Sequence, residues 1–380
     1  MGQKKNNIVI TAGVRTAIGT FKGSLKDIKG HELGAIVISE VLKKSKIKSG
    51  DVDEIVMGQV LTGGAGQNPA RQAAMKAGIS ASKTAYVINQ VCGSGLRSVA
   101  SGYQTILTND AKIVIAGGQE SMSNANHVIN IRGGKQLVQS EAEDTMIKDG
   151  LWDAFNGYHM GTTAENVAQQ WQITRDQQDE FAFNSQQKAS KAKEAGIFKD
   201  EIVGVEIKTR KDTIVFEEDE YIKDGVQLEK IASLRPAFSK EGTVTAANAS
   251  GINDGASATV VMSASKAEAL GVKARLRLVA RAEAGVDPSI MGSGPIPAVN
   301  KVLEKADMTL EQMDVIELNE AFASVACACA NELSLDPEKT NPNGGAIALG
   351  HPVGATGNIL TVKLMYEMER TGARYGLVSM

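Results

Sequence analysis

One order of strand-like and helix-like runs passes through this chain twice, and that repetition restricts the available folds more than any single motif does. Laid without gaps, Val41-Leu42-Lys43-Lys44 matches Val302-Leu303-Glu304-Lys305, and Asp53-Glu54-Ile55 matches Asp314-Val315-Ile316. In the first copy Ile8 to Ala12 reads as a strand, Leu33 to Lys44 has helical apolar spacing, and Ile55 to Met57 reads as the next strand. Pro69 to Met75 opens a second helix, Thr84 to Ile88 is a short apolar strand, Arg97 to Leu107 is helix-like, and Ile113 to Ala116 ends in a turn at Gly117-Gly118. Ala258 to Met262 adds one more strand to this copy. In the second copy Arg275 to Val279 is a strand, Pro297 to Lys305 a helix, Val315 to Leu318 a strand and Asn358 to Met368 a helix. Short apolar, β-branched runs indicate strands, and apolar positions three and four apart indicate helices. Their alternation predicts α/β layers around mostly parallel sheets.

A chain of 380 residues is long enough for more than one core-bearing unit, since single cores rarely grow beyond roughly 250–300 residues. The repeat places the first unit at residues 1–120 plus 246–272 and the second at 273–380. Between them, residues 121–245 differ in character: polar turns, an amphipathic run Thr163 to Trp171, a polar helix Arg175 to Glu194, and hairpin-like segments from Val205 to Phe216. This stretch reads as a loop domain over the site. The Gly-rich segment Asn248 to Gly255 returns the chain to the core, and the charge run Glu217-Glu218-Asp219-Glu220 reads as a solvated face.

Acids outnumber bases by 44 to 41 without a basic cluster, which argues against a nucleic-acid surface. No apolar run reaches the roughly 18 residues of a membrane span, and the start, Met1 to Asn6, lacks the apolar core of a signal peptide. Gly2 invites a myristoylation reading, but Asn6 stands where Ser or Thr is wanted. A soluble, cytoplasmic protein is expected. The cysteines number three, an odd count with no CxxC pair, so no metal site is expected and a reducing compartment is.

The chemistry concentrates in Asn89-Gln90-Val91-Cys92-Gly93-Ser94-Gly95-Leu96, a tight turn from strand to helix. A thiol at a helix N-terminus is exposed to unpaired N–H groups and the helix dipole, which favour thiolate and predict a lowered pKa. The alternative is a buried cysteine acting as a small hydrophobe. The repeat register sets this turn opposite Gly350-His351-Pro352-Val353-Gly354, so a duplicated fold brings Cys92 and His351 to one pseudo-twofold axis, the pairing of an activated thiol nucleophile. Taken alone, His351 could be a turn residue only. Asn319, at the end of the Val315 to Leu318 strand, can hold a water or orient an imidazole beside a thioester oxyanion, or can cap the next helix. Cys327 and Cys329, inside that Ala-rich helix, read as core packing.

Together the Cys92 motif, Asn319-Glu320-Ala321-Phe322-Ala323, and Asn341-Pro342-Asn343-Gly344-Gly345-Ala346-Ile347-Ala348-Leu349-Gly350-His351-Pro352 resemble the thiolase family along essentially the whole chain. The resemblance implies a duplicated βαβαβαββ fold in five αβαβα layers with an inserted loop domain. It also implies coenzyme A thioesters as substrates, no resident cofactor, and a homotetramer built as a dimer of dimers. Tyr158-His159-Met160-Gly161 with Thr162 to Asn166 resembles the biosynthetic branch, which joins two acetyl-CoA into acetoacetyl-CoA and CoA. By that resemblance His159 and Met160 narrow the acyl pocket, while Leu151, Ser250, Ala321 and Phe322 line the pantetheine tunnel. His159 could instead pack without touching substrate. The implied route is ping-pong: His351 deprotonates Cys92, Cys92 is acetylated, and a second acetyl-CoA loses a methyl proton and attacks the acetyl group. Three other readings are a degradative 3-ketoacyl-CoA thiolase, a β-ketoacyl carrier-protein synthase, in which a second His is expected at Asn319, and a non-catalytic thiolase-like binding protein.

The sequence departs from the family after Gly376-Leu377-Val378-Ser379-Met380, where a Cys-x-Gly-Gly-Gly turn carrying a second catalytic cysteine is expected. The repeat independently expects one more strand there. These 380 residues therefore read as a piece of a longer chain, or as a shortened product impaired in condensation.

Overall fold

The computed structural model describes residues 7–130 and 141–380; Met1 to Asn6, on which the signal-peptide and myristoylation readings rest, lie outside them. The first half begins with β1 (Ile8–Thr16), α1 (Gly30–Ser45), β2 (Glu54–Gly58), α2 (Pro69–Lys76), β3 (Thr84–Ile88), α3 (Ser94–Leu107) and β4 (Ile113–Ser121). An insert carrying α4 (Met160–Gln170) and α5 (Arg175–Glu194) follows, and β5 (Asn253–Ser263) completes the half. The second half runs β6 (Leu276–Leu278), α6 (Pro295–Ala306), β7 (Val315–Leu318), α7 (Ala323–Leu333), α8 (Thr356–Thr371) and β8 (Gly376–Ser379).

The first sheet has the order β6-β1-β5-β4-β2-β3, so β6, read from the sequence as the opening strand of the second copy, joins the first sheet antiparallel to β1. Its strands β3, β2 and β4 are parallel, whereas β5 is antiparallel to both β4 and β1. Alternation along the strands divides the core in two. Ile113, Ile115, Val260 and Met262 pack with Leu33, Val37 and Val41 of α1 and Ala70 and Ala73 of α2. Val114, Ala116 and Val261 pack on the other face with Val99 and Ile106 of α3 and Met365 of α8. Each such side chain stabilises the fold by roughly 1.5–3 kcal/mol when buried, so a one-residue slip that exchanged the faces would be heavily penalised.

The second sheet pairs β7 with β8 in parallel, from Val315–Gly376 to Leu318–Ser379, with a single further bridge from Ile316 to Thr340. Val299 of α6 and Leu333 of α7 cover its outer side together with Ile316 and Leu377. Nearly every side chain of α8 from Thr356 to Met365 is buried, because this helix lies between the two sheets. The result is five layers, α1/α2, first sheet, α3/α8, second sheet and α6/α7, as the family resemblance implies. Among the described residues no strand of the second half answers β5.

Two sequence expectations are corrected. Gly117 and Gly118 form no turn but lie inside β4, which runs on to Ser121. At Gly118 backbone from the other half arrives, and a Cβ would stand 2.4 Å from Gly354 O; at Gly117 a Cβ would stand 2.4 Å from Ser257 O of the neighbouring β5. The charge run at residues 217–220 is not all solvated. Asp219 is buried and accepts from Arg15 Nη1 and Nη2 (2.7 and 2.9 Å) and from Ile18 N–H (2.9 Å), while Glu201 takes Arg15 Nε at 2.7 Å. Arg15 on β1 has no exposure at all and requires these counter-charges. A reading confined to neighbours in sequence cannot see that demand. The network also anchors the insert to the first sheet.

Candidate active site

The site lies where α3 and α8, the equivalent helices of the two halves, start side by side. Between β3 and α3 the chain reverses through Val91, whose φ of +48° is rare for a β-branched residue. Three hydrogen bonds impose this conformation. Val91 N–H donates to Asn89 Oδ1 (2.9 Å), Gln90 N–H donates to Ser94 Oγ (2.8 Å), and the Ser94 hydroxyl donates to Val91 O (2.6 Å). The turn delivers Cys92 to the head of α3. Gly95 then admits the second half, since a Cβ there would fall 2.7 Å from Asn358 N and 2.8 Å from Ala355 O.

From the other side, His351 is held at three points. Its N–H donates to Asn253 Oδ1 (2.8 Å), its Nδ1 is 2.7 Å from Thr356 Oγ1, and its Nε2 is 3.2 Å from Cys92 Sγ. The same turn is fastened three residues later, where Gly354 N–H donates to Glu120 Oε2 (3.0 Å). That carboxylate also accepts from Val60 N–H (2.8 Å) and Leu61 N–H (3.2 Å), so one side chain of β4 joins backbone from both halves directly behind the thiol–imidazole pair.

Burial sets the protonation states. It pushes the Cys92 thiol up to about 12, with the nearby Glu120 charge acting in the same direction. It brings His351 down to about 4 and Glu120 up to about 7. The expected lowering of the thiol pKa by the helix N-terminus is therefore corrected. Desolvation among Val60, Leu61, Met122 and Val353 outweighs the dipole, and the resting pair is a neutral thiol against a neutral imidazole. Such a pair reacts by passing the proton from sulfur to Nε2 as the sulfur attacks.

All nine residues singled out from the sequence line one cavity of about 1880 Å³: Cys92, His351, Asn319, His159, Met160, Leu151, Ser250, Ala321 and Phe322. This exceeds the usual 300–1,000 Å³ of ligand pockets, because the space continues along Leu276 to Ala282 and Gly376 to Met380. Asn319 follows β7, is 6% exposed, and its Oδ1 has no hydrogen-bond partner among the described residues. A buried amide oxygen left this way is an acceptor site for a water or a substrate group. His159 caps α4, its Nδ1 accepting from Gly161 N–H (3.0 Å), and its ring stacks on Phe238 at 4.7 Å. Phe238 meets Phe322 edge-on at 6.4 Å, and Ser250 N–H donates to Ala321 O (2.9 Å), which closes that wall of the cavity.

Cys329 is buried and Cys327 half-buried on α7; burial pushes both thiols up to about 12. Cys327 contacts Gln177 O and Cys329 contacts Gly292 O, contacts of packing rather than of a second nucleophile. Sequence reasoning did not find Glu120, Asn253 or Thr356. A usable signal existed for the first: an acid closing the strand run Ile113 to Ser121, whose other residues are apolar, small or uncharged. Glycine and asparagine near residue 253 gave no comparable sign.

Residues 8–265 match the family described as "Thiolase, N-terminal domain", and residues 272–380 match "Thiolase, C-terminal domain". The acetyl-CoA acetyltransferase of Rhizobium meliloti (strain 1021) is 54% identical over 374 residues, 98% of this chain and 95% of that protein. The crystal structure of the Bacillus anthracis acetyl-CoA acetyltransferase superposes with a TM-score of 0.97 at 43% identity, covering 100% of this chain and 96% of that one. Human mitochondrial 3-ketoacyl-CoA thiolase gives a TM-score of 0.94 at 38% identity, covering 98% and 94%. With a duplicated five-layer fold, a cysteine and a histidine joined at its centre, and relatives of this closeness over almost its entire length, the chain belongs to the thiolase family.

Proposed function

We propose that this protein is an acetyl-CoA C-acetyltransferase, which transfers an acetyl group through Cys92 and condenses two acetyl-CoA to acetoacetyl-CoA and CoA. The observation that carries the reading is the 3.2 Å approach of His351 Nε2 to Cys92 Sγ inside a cavity that all nine candidate residues line. His351 takes the thiol proton, the sulfur attacks the thioester carbon, and the bond to the CoA sulfur breaks. The proton on Nε2 then leaves with the CoA thiolate. Asn319, with a water on its free oxygen, stabilises the enolate-like thioester oxygen of the second acetyl-CoA. His159 and Met160 restrict the acyl group to short unbranched chains, and Leu151, Ser250, Ala321 and Phe322 bound the pantetheine path.

The reaction uses protein groups alone, without metal or resident cofactor, and its partners are acetyl-CoA, acetoacetyl-CoA and CoA. Thiolase halves at 1–120 plus 246–272 and at 273–380, a loop domain at 121–245, a dimer-of-dimers assembly and a cytoplasmic setting complete the reading. Among the described residues no helix is long and apolar enough to cross a membrane.

Exchange of labelled CoA into an acyl-CoA measures the first half-reaction alone and therefore tests the assignment on this chain. Acetyl-CoA should exchange about tenfold or more faster than palmitoyl-CoA, the discrimination expected of a pocket that excludes added methylenes. Equal or faster exchange with palmitoyl-CoA would favour the degradative 3-ketoacyl-CoA reading, and no exchange with either would remove the enzyme reading.

A further inference from the structure

We infer that Thr356 is a positioning residue of the reaction, one that fixes the proton of neutral His351 on Nδ1 and so keeps Nε2 free to accept from the Cys92 thiol. The inference deepens the acyl-transfer reading and rests on His351 being the base in it. It follows from counting hydrogens. The Thr356 hydroxyl has one proton and two close partners, Pro352 O at 3.0 Å and His351 Nδ1 at 2.7 Å. Pro352 O can only accept, and it does so from Ala355 N–H (2.9 Å) and Thr356 N–H (3.0 Å) as well as from this hydroxyl, whose proton the back-bonding geometry four residues along the helix start directs to it. At 2.7 Å the contact with Nδ1 is then a hydrogen bond only if the ring donates, which places the proton on Nδ1.

Nε2, 3.2 Å from the sulfur, is consequently a lone pair aimed at the thiol. The opposite tautomer would bring the ring's N–H against the thiol proton and leave Nδ1 facing an oxygen with no proton to give. Thr356 is 2% exposed and opens α8, so its hydroxyl is held by the helix that forms the middle layer. Many nucleophile–base pairs are oriented by a carboxylate that also stabilises the charged ring. A neutral hydroxyl directs the ring without that charge, in keeping with an imidazole that stays neutral at rest. During acylation the S–H bond breaks as Nε2–H forms, the sulfur pair makes the S–C bond, the bond from carbon to the CoA sulfur breaks, and the departing thiolate takes the proton from Nε2. Nδ1–H remains on Thr356 Oγ1 throughout.

The test uses the full chain and needs no turnover, so it stands or falls separately from the acetyl-CoA assignment. In the ¹⁵N spectrum of histidine-labelled protein, with His351 assigned by H351N, Nδ1 should carry the proton and Nε2 should give the shift of an unprotonated nitrogen. Thr356→Val, which keeps the shape and removes the hydroxyl, should slow alkylation of Cys92 by iodoacetamide about 10²-fold, at the lower end of what a positioned general base contributes. Thr356→Ser should recover most of that rate, and in CoA exchange Thr356→Val should lower kcat with little change in KM. A wild-type spectrum with the proton on Nε2, or a folded Thr356→Val that alkylates at the wild-type rate, overturns the inference. If Thr356→Val does not fold, the wild-type spectrum and Thr356→Ser decide it: a serine variant as slow as a hydroxyl-less site would also overturn it.

Discussion

The Cys92 turn and the His351 turn occupy matching places in the two halves, each leading into a middle-layer helix. Yet Val91, beside the sulfur, is 46% exposed while His351 is 4% exposed. The first turn is built from local bonds among Asn89, Gln90, Val91 and Ser94, and it holds a residue at φ +48°. The second has one local contact, Thr356 at the head of its own helix, and is otherwise held from outside itself, by Asn253 from β5 and by Glu120 from β4. Duplication supplied two equivalent positions, and each half took a different requirement. A nucleophile needs access, so its turn stands at the mouth of the cavity. A base that must remain neutral needs dryness, and only surrounding structure can provide it.

The largest effect should come from removing the enclosed partner. His351→Ala is expected to slow acylation of Cys92 by about 10³-fold, within the range for a positioned general base. In the wild type, alkylation should stay level across neutral pH and fall as pH drops through about 4, where His351 gains its proton and loses the lone pair. It should rise only as pH nears about 12, where the thiol itself ionises. A titration near pH 6 to 7 in the alkylation profile would contradict the dry, neutral pair described here.

A smaller effect is expected at the clamp between the halves. Glu120→Ala leaves three backbone donors without their acceptor, each costing about 1–3 kcal/mol if it stays dry. It should lower Tm and slow CoA exchange by about 10²-fold through misplacement of the His351 turn. Unchanged exchange would mean that the second turn is not held from outside. The smallest effect belongs to the self-contained turn. Val91→Gly removes a left-handed β-branched residue but adds chain freedom, so stability should change by less than about 1 kcal/mol. Its exchange rate should fall less than that of Glu120→Ala; a larger fall would reverse the comparison.

That contrast also explains which parts were readable in the sequence. The elements α1, β3 and β7 follow from apolar spacing and β-branched runs, and Cys92 and His351 stood out because each lies in a run of small residues at equivalent repeat positions. Asp219 and Asn253 were illegible, and Glu120 showed only as an acid at the end of a strand, because what they do depends on partners far along the chain: Arg15, His351 and Gly354. The error over the thiol pKa has the same origin. A helix start can be seen in a dozen residues, but the burial that overrides it is assembled from both halves. Gly117 and Gly118 read as a turn for want of visible neighbours, which are Ser257 of β5 for the first and Gly354 of the other half for the second.

The most direct test of the account is to mix the protein with acetyl-CoA, quench in acid, and map acetyl groups by peptide mass spectrometry. Acetyl should be found on Cys92, be lost on adding CoA, and form far more slowly in His351→Ala. Acetylation of Cys327 or Cys329 instead, or a Cys92 adduct formed equally fast without His351, would contradict the claim that two duplicated halves meet to make one thiol–imidazole pair.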